Sequence, residues 1–220
     1  MKEKIILIGG GGHCKSCIDV IEQEGRFTIA GIVDVPEKKQ NTVLGYSVVG
    51  SDDDLAELIK AVPNVLITLG QIKFPTRRTE LFNQLKQMNA CFPVIKSPLA
   101  YVSAHAHLAE GTIVMHHALI NAGANVGKNC IINTKALVEH DAVIEDHCHI
   151  ATGAVVNGGV KICTGTFFGS NAMTREYIEI GENCIVGGGG ALCGISLPAR
   201  CSRRIKVSGV WRIWFFTGSC

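Results

Sequence analysis

The feature that most constrains this 220-residue chain is a repeat of six residues that sets in after Pro98. An aliphatic or aromatic residue recurs at Val102, Leu108, Val114, Ile120 and every sixth position on to Leu192, with Thr174 the single break. Four residues after most of these stands a small residue, as at Ala106, Thr112, Ala118, Cys130 and Ala142, although Val160 and Ile178 are larger. Six is even, so both marked positions fall on one face of an extended strand, and three such units carry the chain once around a triangular coil. Gly127-Lys128-Asn129 and Gly181-Glu182-Asn183 fall between units, where corners need backbone angles that Gly and Asn tolerate. Each coil covers the next, so the prism is stable only as a stack. The repeat predicts a parallel β-helix over residues 99–195.

Before the repeat the chain has another period. Ile5 to Gly9, Thr28 to Asp34, Val65 to Gly70 and Cys91 to Ile95 read as strands, while His13 to Glu24, Asp52 to Val62 and Thr76 to Met88 carry apolar residues at helical spacing. This alternation predicts a Rossmann-like parallel α/β domain over residues 1–98. Ser51 with Asp54 forms a capping-box variant, and Pro75 heads the third helix. The run Asp52-Asp53-Asp54 suits the positive end of a helix dipole and needs no metal. Residues 196–220 form an atypical tail, basic and aromatic through Trp211-Arg212-Ile213-Trp214-Phe215-Phe216.

Composition removes several classes of function. The chain is 47% hydrophobic and 18% charged, enough to bury a core. A net charge of +2, with Lys and Arg scattered, gives no stripe to track a phosphate backbone, so nucleic acid is not an expected partner. Ile5 to Ile8 is too short for a signal-peptide core and no run reaches membrane-spanning length, so a cytoplasmic protein is expected. Ten cysteines spread from Cys14 to Cys220 without repeated pair spacing read as reduced thiols. Cys130, Cys148 and Cys184 occupy the small phase of the repeat, which explains them by packing. Cys14-Lys15-Ser16-Cys17 has redox-motif spacing but no thioredoxin-like surroundings.

Gly9-Gly10-Gly11-Gly12-His13 follows a strand and opens a helix, an arrangement that turns backbone N–H groups toward a phosphate. The third glycine of a dinucleotide fingerprint would fall at Cys14, while Asp34 sits about where a ribose-binding acid belongs. Glycines that merely permit a tight turn are the simpler alternative. About 95 residues hold one mononucleotide-binding half and not a pair, which argues against a nicotinamide-dependent oxidoreductase.

The repeat, together with Ile132-Asn133-Thr134, Val138-Glu139-His140-Asp141, His147-Cys148-His149-Ile150 and the Gly-Gly-Gly-Gly-His loop, resembles the bacterial sugar acetyltransferases of the sialic acid and bacillosamine pathways. The resemblance implies a left-handed β-helix, a homotrimer, an α/β domain that holds the nucleotide-sugar, and acetyl-CoA as co-substrate in the groove between adjacent β-helices. It makes His140 the general base and Asp141 its acidic companion. His149, Gly158 and Gly188 fall on the coenzyme side, and Gly10, Gly11, His13, Asp34 and Asn133 on the sugar side. The first acceptor it implies is a UDP-4-amino-4,6-dideoxy sugar, N-acetylated; O-acetylation of sialic acid is the alternative. Two departures stand out: Val35, where relatives commonly carry a second acid, and the tail that replaces a Gly-x-Pro-Ala-Lys-like end.

The chemistry is coherent with these residue types. A sugar amine is mostly protonated at pH 7 and must lose a proton before it attacks a thioester, and an imidazole near its ordinary pKa accepts one. Thiolate leaves readily, so direct transfer needs no covalent nucleophile, only a backbone N–H or His149 to stabilise the oxyanion. His140 at the third and His149 at the sixth place of their hexapeptides lie outside both inward phases and are expected to face solvent or a neighbouring subunit. A metal-dependent lyase on the same prism needs converging ligands, and no histidine has another eighteen residues away. A trimeric nucleotide-sugar-binding scaffold without catalysis is the rival from another class.

Overall fold

A computed structural model describes residues 2–72 and 74–192; the expected tail at 196–220 lies outside them. The N-terminal sheet contains β1 (Glu3–Ile8), β2 (Phe27–Val33), β3 (Thr42–Val43), β4 (Tyr46–Gly50) and β5 (Val65–Ile67), in the spatial order β3-β4-β2-β1-β5. All pairings are parallel except the hairpin of β3 with β4, whose turn residues Leu44 and Gly45 both have positive φ. The hairpin is not legible from the sequence, because Thr42–Gly50 is short and half polar. β1 is an unbroken apolar run because both of its faces are covered. Ile5 and Leu7 pack on α1 (Gly12–Glu24), while Ile6 and Ile8 pack on α2 (Leu55–Ala61) and α3 (Thr76–Gln87). The carboxylate of Asp54 accepts the Ser51 N–H (2.9 Å), so it caps the turn ahead of α2.

The strand expected over Cys91–Ile95 is divided. Cys91 makes one parallel bridge to Asn64 beside β5, whereas Ile95–Lys96 pairs with Ile113–Val114 as the first strand of the β-helix. From there, two-residue strands stack into three parallel sheets in which each residue meets the one eighteen positions on, as Ile131 meets His149. The first face begins at Ile95–Lys96, the second at Tyr101–Val102 and the third at His107–Leu108. Inward residues from Val114 to Val186, including the Cys130–Cys148–Cys184 column, form one continuous core. Each Val, Leu or Ile buried there contributes roughly 1.5–3 kcal/mol.

Every sixth residue from Gly111 to Gly189 adopts φ between 52° and 75°. Asn129 and Asn183 hold this left-handed corner position, but Gly127 does not; a Cβ on it would lie 2.5 Å from the Asp146 carboxylate. Its smallness serves coil-to-coil approach, not backbone conformation.

The α/β unit rides on the first face. Outward-facing Ile95, Ile113 and Ile131 of that face are fully buried against α1. Asp19 on α1 bonds the His116 Nε2 (2.7 Å), whose Nδ1 meets Ser97 Oγ (2.7 Å). Ser97 is fully buried, so this Ser–His–Asp series is a fastening and not a nucleophilic centre. Arg78 on α3 is 2% exposed and bonds only neutral oxygens. Its Nη1 donates to the carbonyls of Ile67 (2.9 Å) and Leu69 (2.6 Å), and its Nη2 to the carbonyl (3.0 Å) and side-chain oxygen (2.7 Å) of Asn129. Among the described residues no helix is long and apolar enough to cross a membrane.

Arg78→Met strands these buried acceptors, at a cost of roughly 2–4 kcal/mol. The thermal unfolding midpoint is expected to fall by roughly 5–10 °C. A midpoint within about 2 °C of the parent would show that the junction does not depend on this cation.

Candidate active site

His140 stands at the corner between the second and third faces. Asp141 holds the left-handed position there (φ 59°), and its side chain folds back over the coil before, where a Cβ on Gly123 would lie 2.4 Å from its Oδ1. That leaves Oδ2 to meet His140 Nδ1 at 2.9 Å. Glu139 anchors the corner by accepting from the Asn121 side chain (2.8 Å) and the His140 N–H (3.1 Å). The ring itself leans over the following coil. A Cβ on Gly158 would lie 2.6 Å from Nε2, so the free edge of the imidazole rests on bare backbone. The His140 side chain is 51% exposed, and its pKa is raised, first by the hydrogen bond it donates to Asp141 and further by the charges of Asp141 and Glu139. A neutral imidazole with Nδ1–H held by a carboxylate has its Nε2 lone pair directed outward, ready to accept a proton.

The second group lies in the α/β unit. A cleft of about 360 Å³ opens at the carboxyl ends of β1, β2 and β5, lined by Gly9, Asp34, Val35, Asp52, Asp53 and Arg77 among others. Strand order reverses about β1, the place where open α/β sheets bind ligands. Asp34 accepts from Gly10 N–H (2.9 Å), Val35 N–H (2.8 Å) and Lys38 Nζ (2.9 Å). Burial opposes its ionisation, but these three donors outweigh it and hold its pKa low. The Gly10 amide is thereby engaged with Asp34, whereas Gly11 and Gly12 have open space where a side chain would stand.

His149 departs from expectation. It does not face solvent or a neighbour: it is 7% exposed, because the loop after β5 covers the first face at that coil. Its Nδ1 donates to the Gln71 carbonyl, its Nε2 accepts from the Asn133 amide (3.1 Å), and Phe167 packs edge-on with ring centroids 5.2 Å apart. The His13 ring lies 6.5 Å from it. Burial, followed by the Arg78 cation, drives the His13 pKa to about 3; burial likewise lowers that of His149 to about 4. Both are neutral at pH 7. Gln71 is a site neighbour that periodicity could not mark, since it lies on a loop.

The residues thus fall at two edges of one prism. His140, Asp141 and Gly158 share the corner between the second and third faces. Asn133 and Gly188 sit at the corner between the first and second, where Asn133 bonds His149 and the His13 ring approaches it, while Gly10, Gly11 and Asp34 belong to the α/β unit. The second face lies between the two groups. Among the described residues no cluster of His, Cys, Asp and Glu is arranged to hold a metal.

Comparison with known proteins places this geometry. Residues 4–85 match the family described as the PglD N-terminal domain. A histidine-to-asparagine variant of perosamine N-acetyltransferase from Caulobacter crescentus, solved with CoA and GDP-perosamine, is 32% identical, with a TM-score of 0.82 over 86% of this chain and 88% of that one. The acetyltransferase domain of PglB from Neisseria gonorrhoeae, solved with acetyl coenzyme A, is 26% identical, with a TM-score of 0.79 over 87% and 93%. WeeI from Acinetobacter baumannii, at 23% identity and a TM-score of 0.77 over 90% and 94%, shares the fold. With its α/β unit on a left-handed hexapeptide-repeat β-helix and this identity over most of its length, the chain belongs to the nucleotide-sugar N-acetyltransferase family and is an acyltransferase.

Proposed function

We propose that this chain transfers the acetyl group of acetyl-CoA to the amine of a nucleotide-activated sugar, directly within a ternary complex and with His140 as general base. The observation that carries this reading is the His140 Nδ1–Asp141 Oδ2 contact of 2.9 Å, with the opposite edge of the ring over Gly158. Nε2 takes the proton as the amine nitrogen attacks the thioester carbonyl, Asp141 stabilises the imidazolium, and the CoA thiolate departs. The Gly158 N–H donates to no group among the described residues, and it suits an oxyanion beside His140. Asp34, His13 and the open Gly11 amide would hold the nucleotide-sugar at the cleft. By resemblance Gly188 would lie on the coenzyme side and Asn133 on the sugar side, with His149, buried and bonded through both nitrogens, holding the Asn133 amide in place. A UDP-4-amino-4,6-dideoxy sugar is the first acceptor by resemblance, and the GDP-perosamine bound by a relative makes a GDP-sugar the parallel arm of any screen.

The division of the site between two edges favours a homotrimer. On the first face α1 covers Ile95, Ile113 and Ile131 and the loop after β5 covers His149, while the outward residues of the third face are His107, Asn125, Val143, Lys161 and Glu179. The second face instead presents an apolar row in which Leu119, Leu137 and Val155 are half-buried, Tyr101 is 59% exposed and Met173 48%, with no helix packed over it among the described residues. A second copy seated there brings its edge of the site against the other.

General-base assistance is worth about a hundredfold to ten-thousandfold, so His140→Ala should lower turnover by that range while CoA affinity holds. A folded variant within a few-fold of the parent in a thiol-release assay would end the base assignment. The pH profile gives a second check. His140 works deprotonated and Asp141 raises its pKa, so turnover should rise with pH through that raised value. Removing the carboxylate in Asp141→Asn lowers the pKa, and the acid limb should move to lower pH as the maximum rate falls. An unmoved limb would mean that the pair does not set the protonation. Finally, Leu137→Asp should yield an inactive monomer by analytical ultracentrifugation; a parent that is monomeric and fully active would refute the shared site.

A further inference from the structure

The corner that carries His140 continues for two more coils, and its residues there are unlike those of any other corner. Left-handed positions elsewhere in the prism hold Gly, Asn, Asp, His or Lys, but Tyr177 holds one with φ 52°. A bulky side chain is an outlier in that conformation, and such outliers gather at functional sites. Tyr177 is also 75% exposed, so burial of its ring in this chain does not account for it.

What the ring does contact is specific. It lies against Gly159, on which a Cβ would come within 2.3 Å of Tyr177 Cδ1 and 2.4 Å of Cε1. The Tyr177 N–H donates to the Gly158 carbonyl at 3.0 Å. His140 therefore leans onto Gly158 from one side and Tyr177 onto Gly159 from the other. The two rings thus cover adjacent glycines of one corner, and the Gly158 N–H donates to nothing among the described residues. In the opposite direction the corner is filled: Asp141 folds over Gly123, and Glu139 bonds Asn121. The proposed base and the exposed aromatic ring are thus neighbours on one corner.

We infer that Tyr177 is a coenzyme-contacting residue, its ring supporting the amide-bearing arm of the acyl-CoA thioester that reacts beside His140. The inference rests on the reading of His140 as the base. The acceptor is delivered by the cleft of an α/β unit, whereas the coenzyme arm is a thin chain of planar amides. Such a chain can place an amide face on the exposed side of an aromatic ring.

The test is calorimetric titration of CoA into the full-length protein, with steady-state kinetics alongside, for the parent, Tyr177→Asn and Tyr177→Phe. Asn accepts the left-handed corner, so the fold is retained without the ring. Tyr177→Asn should weaken CoA binding and raise the KM for acetyl-CoA, each about tenfold, the scale of one aromatic contact. The KM for the nucleotide-sugar, the acid limb of the pH profile and the thermal midpoint should stay in place, and Tyr177→Phe should stay near the parent in all of these. Unchanged CoA affinity in Tyr177→Asn, a rise in the sugar KM instead, or a loss that tracks a lower midpoint would overturn the assignment of Tyr177 alone. A parent that does not bind CoA would overturn the functional reading and this inference with it.

Discussion

The constraint on which everything else depends is the eighteen-residue register of the β-helix. Because each coil sits roughly 4.8 Å from the next, a side chain at a corner either turns away or lies on its neighbour. Glycines appear where a neighbour lies on them: Gly123 beneath Asp141, Gly158 beneath His140, Gly159 beneath Tyr177. The same rule that closes the corners thus shapes the His140 site. The Asp141 carboxylate reaches the imidazole because it is folded over Gly123 and cannot swing out without losing that seat. The corner conformation is unfavourable for most L-residues, by about 1–2 kcal/mol each, so its recurrence is sustained by the core that every coil buries.

A second, different constraint governs the junction. Arg78 is a buried cation without a carboxylate, held by four neutral oxygens from both parts of the chain. Its charge is felt by His13, His147 and His149, for each of which burial and Arg78 lower the pKa. These four histidines are therefore sorted by environment: the three near Arg78 have their pKa lowered, and His140, beside two acids, has its pKa raised. The separation suits the proposed use of His140 as base and leaves His149 bonded through both nitrogens.

The chain's sequence makes much of this legible, for reasons that differ from residue to residue. Val102 to Leu192 announces the prism because a strict period can only be met by one coil geometry. His140 and Asp141 stand out because they are polar, adjacent and outside the inward phases. Resemblance puts Gly158 on the coenzyme side, and its place eighteen residues after His140 also puts it against the imidazole. The apolar column Ile95, Ile113 and Ile131 has the same spacing and marks the face that α1 covers, whereas His149 interrupts it and so reads as exposed when it is not.

Sequence alone therefore determined the local matters: strand and helix periods, the position of corners, and the types of residue able to move a proton. These depend on neighbours within a few residues or at a fixed repeat, and a linear reading captures both. Tertiary structure decided which surfaces meet. Only the docking of α1 and the loop after β5 on the first face buries His149, engages both its nitrogens through Gln71 and Asn133, and brings it to His13. Only the triangular cross-section sets that group apart from His140. Contacts between elements of unrelated period have no signature along the chain, because their energy comes from shape and desolvation at surfaces that the chain brings together only once folded.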